Sequence, residues 1–455
     1  MIERSFLSMR LSMRALVAIA GLALCGLGVP AASRAADEPA ADCGVGAYRL
    51  DDGASLDVGP AAGSSLRWRR SDGTSGAFST TGPEAGVSSL GWTKRPDGRH
   101  VRIDCAKAQV DVDGMRGRRL ALATTEVRFA SDGTTLAGRL VMPEGDGPVP
   151  VVVLLQGSEH DSAMRFDSMQ RRFPAAGVGA FVFDKRGTGA SGGRYSQDFD
   201  QLARDAAAAL REARRLAGPR VARIGFHGPS QGGWVAPLAA RIAPVDFIIV
   251  GFGLAVSVLD EDREAVAMNI AGAGHGPQAM AGAMALVDAC GALALNPAPQ
   301  VFERFARVRQ RFEGEPWFKD VRGDFCYLLL GLKTKEDLAA FSEHLNAGTP
   351  WLFDPMATIA AVAVPQLWIL AQDDLEAPSA ETARRLAVLR MAGRPIATAV
   401  FPNTEHGIYE YETAADGSRL STRQPDGYHR MMVDFARGTT LKPPYGTAVL
   451  ARPDR

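Results

Sequence analysis

The chain has 455 residues, of which 46% are hydrophobic and 22% charged, the proportions of a folded globular protein and not of a disordered one. Its 51 Lys and Arg balance 51 Asp and Glu, which argues against a nucleic-acid binder held by a basic surplus. The length suits two or three domains, and 49 Gly with 27 Pro make a turn-rich chain. Short arginine runs at 67–70 and 116–119 read as solvated faces.

Residues 1–35 have the pattern of an export signal. Arg4, Arg10 and Arg14 give a positive start, 15–29 is apolar, and Ser33-Arg34-Ala35 offers a small-x-small cleavage site. The apolar run is shorter than the ~20 residues of a spanning helix. Leu24 is too large for a lipid-attachment site at Cys25. No other stretch reads as a membrane span, so an exported protein is expected, periplasmic or secreted, with no stable membrane insertion after cleavage. Loss of Cys25 leaves Cys43, Cys105, Cys290 and Cys326. An oxidising compartment favours disulfides, and the pairings Cys43–Cys105 and Cys290–Cys326 each stay inside one expected domain. None of these cysteines has a partner at metal-ligand spacing, so no metal site is expected.

Residues 36–124 alternate in short stretches broken by Asp52-Gly53, Asp72-Gly73 and Asp97-Gly98, the pattern of a small all-β sandwich or barrel. Trp68 and Trp92 could face a ligand there, although core packing is the simpler role. From 125 the rhythm changes. A hairpin around Ser131-Asp132-Gly133 leads to a continuous apolar strand at 149–155. Helix 166–176, strand 180–183, helix 198–216, strand 221–226, helix 231–242 and strand 247–250 follow, which predicts a mostly parallel, doubly wound α/β sheet. Residues 252–362 interrupt it with helical patterns at 300–312 and 335–345 before strands return at 366–370 and 396–401. An insertion at the carboxyl ends of strands reads as a helical cap over a site.

Gly228-Pro229-Ser230-Gln231-Gly232 fits G-x-S-x-G, and so does Gly189-Ala190-Ser191-Gly192-Gly193. Context separates them. Ser230 stands between an apolar strand and a helix, the sharp turn a nucleophilic serine needs, whereas loop flanks Ser191 on both sides. A serine hydroxyl needs a base, and the base needs an orienting carboxylate. Of the seven histidines, His406 lies just past the last predicted strand. His160 comes too early, His227 reads as a packing residue, and His100, His275, His344 and His429 lack such a placement. Asp373 and Asp374 both close strand 366–370. Asp374 is preferred because it opens the turn Asp374-Leu375-Glu376-Ala377-Pro378, with Glu376 a distant third choice. The order Ser230, Asp374, His406 suits a sheet of this kind. Backbone N–H groups of Gln231 and Ser158 are the expected oxyanion donors, since Gly157 permits a turn that aims Ser158 inward.

These motifs resemble the α/β-hydrolase superfamily, near its serine aminopeptidase-like and bacterial esterase-like groups, over residues 125–437. Gly157-Ser158, the stretch Phe183-Asp184-Lys185-Arg186-Gly187-Thr188-Gly189-Ala190-Ser191, Gly228 to Gly233 and Asp374 to Pro378 carry the resemblance. It implies a structural role for the Ser191 loop. The chain departs in having Gln156 before the oxyanion glycine and Pro229 before the serine, where many relatives have His. The β domain at 36–124 resembles no family.

The expected architecture is therefore a signal at 1–35, a small β-rich domain at 36–124, and an α/β-hydrolase domain at 125–455 with a cap at 252–362. The expected activity is hydrolysis of carboxylic esters by Ser230, Asp374 and His406, with no cofactor and a small ester or short peptide as substrate. An exopeptidase would need acidic cap groups for a substrate amine, and 260–264 offers Asp260, Glu261, Asp262 and Glu264, although such a run reads first as a solvated face. A catalytically silent cell-envelope binding protein is the third reading.

Overall fold

The computed structural model describes residues 42–63, 65–81, 85–345 and 347–453, so the expected signal at 1–35 lies outside the described residues. Strands β1 (Gly46–Leu50), β2 (Ser55–Pro60), β3 (Ser65–Arg70), β4 (Ser75–Ser79), β5 (Val87–Leu90), β6 (Pro96–Asp104), β7 (Gln109–Val112) and β8 (Met115–Arg119) run antiparallel and close into a barrel through β8 on β1. Closure leaves no open edge for other chains to pair with. Residues two apart face inward: Leu56 and Val58, Leu66 and Trp68, Val110 and Val112. Trp68 is a core residue, wholly buried, and donates its indole N–H to Ser88. Cys43 is bonded to Cys105.

The arginine run at 67–70 is not a solvated face. Arg67 is buried and donates to the Gly91 carbonyl, while Arg69 pairs with buried Asp57. Asp57 draws Arg69 inward and also lies 2.5 Å from Arg171, which comes from outside the barrel. Arg116, in the other run, is exposed and pairs with Asp111 at the surface.

The second domain is built on a nine-stranded sheet. The hairpin β9 (Ala123–Ser131) and β10 (Thr134–Met142) leads to β11 (Val149–Leu154), β12 (Gly179–Phe183), β13 (Val221–Pro229), β14 (Phe247–Gly251), β15 (Gln366–Ala371) and β16 (Ile396–Phe401). Next come a separate small sheet, β17 (Thr404–Glu405), β18 (Tyr409–Thr413) and β19 (Arg419–Arg423), and finally β20 (Val449–Ala451) at the edge of the large one. The spatial order is β20-β16-β15-β14-β13-β11-β12-β10-β9, with β11 to β16 parallel. This is the expected α/β-hydrolase fold. From β11 the chain passes to β12 on one side and then to β13 on the other. Such a reversal opens a crevice at the carboxyl ends of β11 and β13, where ligands bind in sheets of this class.

Strand alternation divides the core. Val151 and Val153 face the layer holding α3 (Phe199–Ala217) and α4 (Gly232–Ile242). Val152 and Leu154 face the layer of α2 (Met169–Ala175) and α12 (Tyr428–Ala436). The single helix expected over 166–176 is two, α1 (Ala163–Phe166) and α2, because Asp167 turns its carboxylate onto the Met169 N–H and breaks the run.

Residues 252–362 carry α5 (Val258–Gly272), α6 (Pro277–Leu295), α7 (Pro299–Phe312), α8 (Cys326–Leu330), α9 (Lys335–Leu345) and α10 (Met356–Ala361) before α11 (Ser379–Met391) returns to the sheet. Helix α6 is long and apolar enough to cross a membrane by length and composition, contrary to the expectation that no stretch beyond the signal was. It packs as a core helix, with Ala283, Leu286 and Leu293 buried and Cys290 bonded to Cys326 of α8.

The buried Asp57 makes the junction testable. Asp57→Ala strands Arg171 and Arg69 without their carboxylate and should cost about 3–5 kcal/mol in denaturant unfolding. Arg116→Ala, which breaks a surface pair with Asp111, should cost no more than about 1 kcal/mol.

Candidate active site

Ser230 occupies the tight turn between β13 and α4 with a left-handed backbone, φ 48°. A non-glycine residue there carries strain of about 1–3 kcal/mol and persists only where its surroundings enforce it. They do: its N–H donates to Gly251 at the end of β14, and its carbonyl accepts from Gly233 in the first turn of α4. Gly228 must be glycine, because a side chain there would collide with the Gly232 carbonyl. The G-x-S-x-G spacing is thus the sequence form of this geometry.

Ser191 has a different use. Its hydroxyl donates to the Asp184 carbonyl and accepts from the Ala137 N–H, so it ties a loop to β10. Asp184 anchors the same loop through Ser162, Met164 and Ala190.

The loop after β11 is braced by Lys185, Tyr195 and Gln156. Lys185 is buried and donates from Nζ to the Gly157 carbonyl at 2.6 Å. In a trans peptide the carbonyl and the next N–H point opposite ways, so this bond turns the Ser158 N–H away from Lys185. Tyr195 donates its hydroxyl to the Ser158 carbonyl at 2.7 Å and stacks on His160. Gln156 accepts from the Lys185 N–H and donates to the Asp161 carbonyl. Burial lowers the Lys185 ammonium to about 8, against the opposing pull of Glu159. The Ser158 and Gln231 N–H groups make no hydrogen bond among the described residues.

Asp374, three residues past β15, is almost wholly buried, and its Oδ2 lies 2.9 Å from His406 Nδ1. Its other oxygen accepts from the N–H groups of Glu376 and Ala377, so the turn fixes the carboxylate. Asp373 points elsewhere, accepting from the Tyr411 hydroxyl. The Phe252 ring meets the His406 ring edge-on at 4.8 Å. No hydrogen bond joins Ser230 to His406 among the described residues. Instead His406 Nε2 faces Glu376 Oε1 at 3.5 Å. Burial works to lower the imidazole, but Glu376, Asp374 and Glu159 outweigh it and raise His406 to about 10.

The acidic run at 260–264 is not a solvated face either. Glu261 and Asp262 are buried. Asp262 accepts from the N–H groups of Phe325 and Cys326 and so caps α8. The Glu261 side chain makes no hydrogen bond or ion pair among the described residues. Burial, then Asp324 and Glu376, raise it well above the carboxylate range. Asp324 is itself raised to about 7 by its protein surroundings and by Glu376. Of these carboxyl groups, Glu376 is the one in contact with His406. No cluster fit to hold a metal ion occurs among the described residues.

The family model described as serine aminopeptidase, S33, matches residues 146–257, which span β11 to β14 with both the Ser158 loop and the Ser230 turn. The chain is similar to the Pyrococcus furiosus esterase Pf2001, at 14% identity over 63% of this chain and 84% of that one, TM-score 0.39. It is similar to the Pyrococcus horikoshii acylaminoacyl peptidase, at 17% identity over 78% of this chain and 52% of that one, TM-score 0.39. The α/β hydrolase GrgF from Penicillium sp. sh18 is 18% identical over 63% of this chain and 91% of that one, TM-score 0.40. No curated protein sequence gives a significant match.

The Glu376 contact has a measurable consequence. An anion beside an imidazole stabilises its protonated form, so removing the anion eases deprotonation. Glu376→Gln should lower the His406 titration midpoint by about 1–3 pH units, followed by NMR of the ring. The rising limb of kcat/KM against pH, which requires neutral His406, should move to lower pH with it.

Proposed function

We propose that the protein is an exported serine hydrolase that cleaves carboxylic esters through an acyl-enzyme intermediate. Ser230 Oγ attacks the carbonyl carbon while His406 Nε2 accepts its proton, and Asp374 holds the imidazole by Nδ1 and balances its charge. The carbonyl oxygen, now negative, takes hydrogen bonds from the N–H groups of Ser158 and Gln231. His406 then hands the proton to the leaving alkoxide. Water repeats the sequence and frees the acid and Ser230. No cofactor enters any step. The observation that carries this reading is the strained Ser230 turn at the end of β13 together with the Asp374–His406 pair that follows β15 and β16 of the same sheet. The two disulfides support an oxidising compartment.

A second reading, an amino-terminal exopeptidase, is favoured by one observation. Glu261 is buried, makes no hydrogen bond or ion pair among the described residues, and feels the charge of Glu376, which touches His406, so a substrate ammonium there would supply a cation. A cation bound there would also compete for Glu376 and free Nε2 for Ser230.

Labelling with a fluorophosphonate probe tests the nucleophile. The wild type should label and Ser230→Ala should not, while Ser191→Ala should label normally. Asp374→Ala should lower kcat by about 10⁴-fold. Short p-nitrophenyl esters and aminoacyl anilides, assayed side by side, decide between the readings. Turnover of esters alone supports the esterase. Anilide turnover that collapses in Glu261→Gln supports the exopeptidase, and a wild type that neither labels nor turns over either class rejects both.

A further inference from the structure

His406 sits on no long element. It lies between β17, only two residues long, and β18, in the small sheet apart from the nine-stranded one. A base so placed needs an external brace to hold its distance from Ser230.

The brace comes through β19. Ser421 donates its hydroxyl to Glu405, the residue before His406. Gln424 donates from Nε2 to the carbonyl of Gly407, the residue after it, and its Oε1 is fixed by buried Arg172. Both neighbours of the histidine are thus held from 421–424.

That segment is in turn gripped by the barrel. The Trp92 N–H donates to the Ser421 carbonyl at 2.9 Å, and the Gln424 N–H donates to the Gly73 carbonyl at 3.1 Å. Arg423 reaches back to the Asp72 carbonyl at 2.6 Å. The Trp92 ring lies 4.3 Å from that of Tyr409, and the Arg67 guanidinium stands over Trp92 at 4.1 Å. The approach is so close that a side chain at Gly73 or Gly91 would collide with the carbonyls of Gln424 and Thr422. Both glycines also have positive φ, so the two turns are built for contact at the backbone.

We propose that the amino-terminal barrel is a positioning element of the catalytic centre, whose 72–73 and 91–92 turns hold the small sheet and thereby set His406 against Asp374 and Ser230. The inference rests on His406 as the base. It explains why the barrel meets the second domain at two places of different character. The Asp57–Arg171 pair fixes it to α2, behind the site, whereas the turns reach forward to the loop that bears the imidazole. Trp92 is the positioning residue that joins them.

The test uses the full chain with Trp92→Ala, the conservative Trp92→Phe, and Val110→Ala as a control that loosens the barrel core away from the contact. Two readouts are taken: kcat and KM, and the NMR signal of the His406 Nδ1–H in ¹⁵N-histidine protein, assigned by its loss in His406→Ala. In Trp92→Ala, kcat should fall by about 10–100-fold with KM nearly unchanged, and the Nδ1–H signal should shift or broaden. Trp92→Phe should restore most of both, and Val110→Ala should leave both as in the wild type. A folded Trp92→Ala with unchanged kcat and an unchanged signal overturns the proposal, and so does an equal loss in Val110→Ala. Should the wild type turn over no acyl substrate, the base assignment falls, while the NMR comparison still decides whether the barrel sets the surroundings of His406.

Discussion

An imidazole with a carboxylate at each nitrogen organises the cleft. Asp374 meets Nδ1 at 2.9 Å from a buried, backbone-fixed position, and Glu376 meets Nε2 at 3.5 Å with about a third of its side chain exposed. The two contacts are unequal in kind. A carboxylate that accepts two backbone N–H bonds cannot rotate away, whereas Glu376 can turn towards solvent or a ligand cation. Because the same two residues supply the fixed anion and the movable one, the turn at 374–378 sets both the orientation of the base and its charge. Glu261, buried nearby, answers in the opposite sense: burial and the acids around it favour its neutral, protonated form.

Strain at Ser230 belongs to the same design. Its left-handed backbone is held from β14 on one side and α4 on the other, so Ser230 is fixed by the rigid part of the sheet. The Ser158 loop is held by Lys185 and Tyr195 from the segment after β12, and so leans on the sheet as well. His406 is the exception, carried by a small separate sheet. A site with two rigid parts and one borne on short strands gains most from support at the third, which is where the barrel turns arrive.

Local patterns made much of this legible. The strand–turn–helix flanking Ser230 and the D-x-x-A-P turn at Asp374 are written in adjacent residues, and the structure brings Asp374, not Asp373, to His406. What stayed hidden depends on residues far apart in the chain. Closure of the barrel is a pairing of Tyr48 with Arg119, which alternation cannot distinguish from a sandwich. Arg69 looked solvated because its partner Asp57 belongs to another strand and its neighbour Arg171 to another domain. Asp262 looked like part of an exposed charge run because Phe325 and Cys326, whose N–H groups it accepts, lie some sixty positions on. The β17 strand is too short for any periodicity to register.

Gln156 shows how a departure from a family pattern can follow from the surrounding electrostatics. The position must accept a hydrogen bond from the Lys185 N–H and donate one to the Asp161 carbonyl at the same time. A histidine would offer one acceptor and one donor only while neutral. An imidazolium has two donors and no acceptor, so it would break with the Lys185 N–H and set a second cation beside the Lys185 ammonium. An amide keeps both roles at every pH. Glutamine therefore keeps the Ser158 loop tied to the Lys185 N–H and the Asp161 carbonyl together.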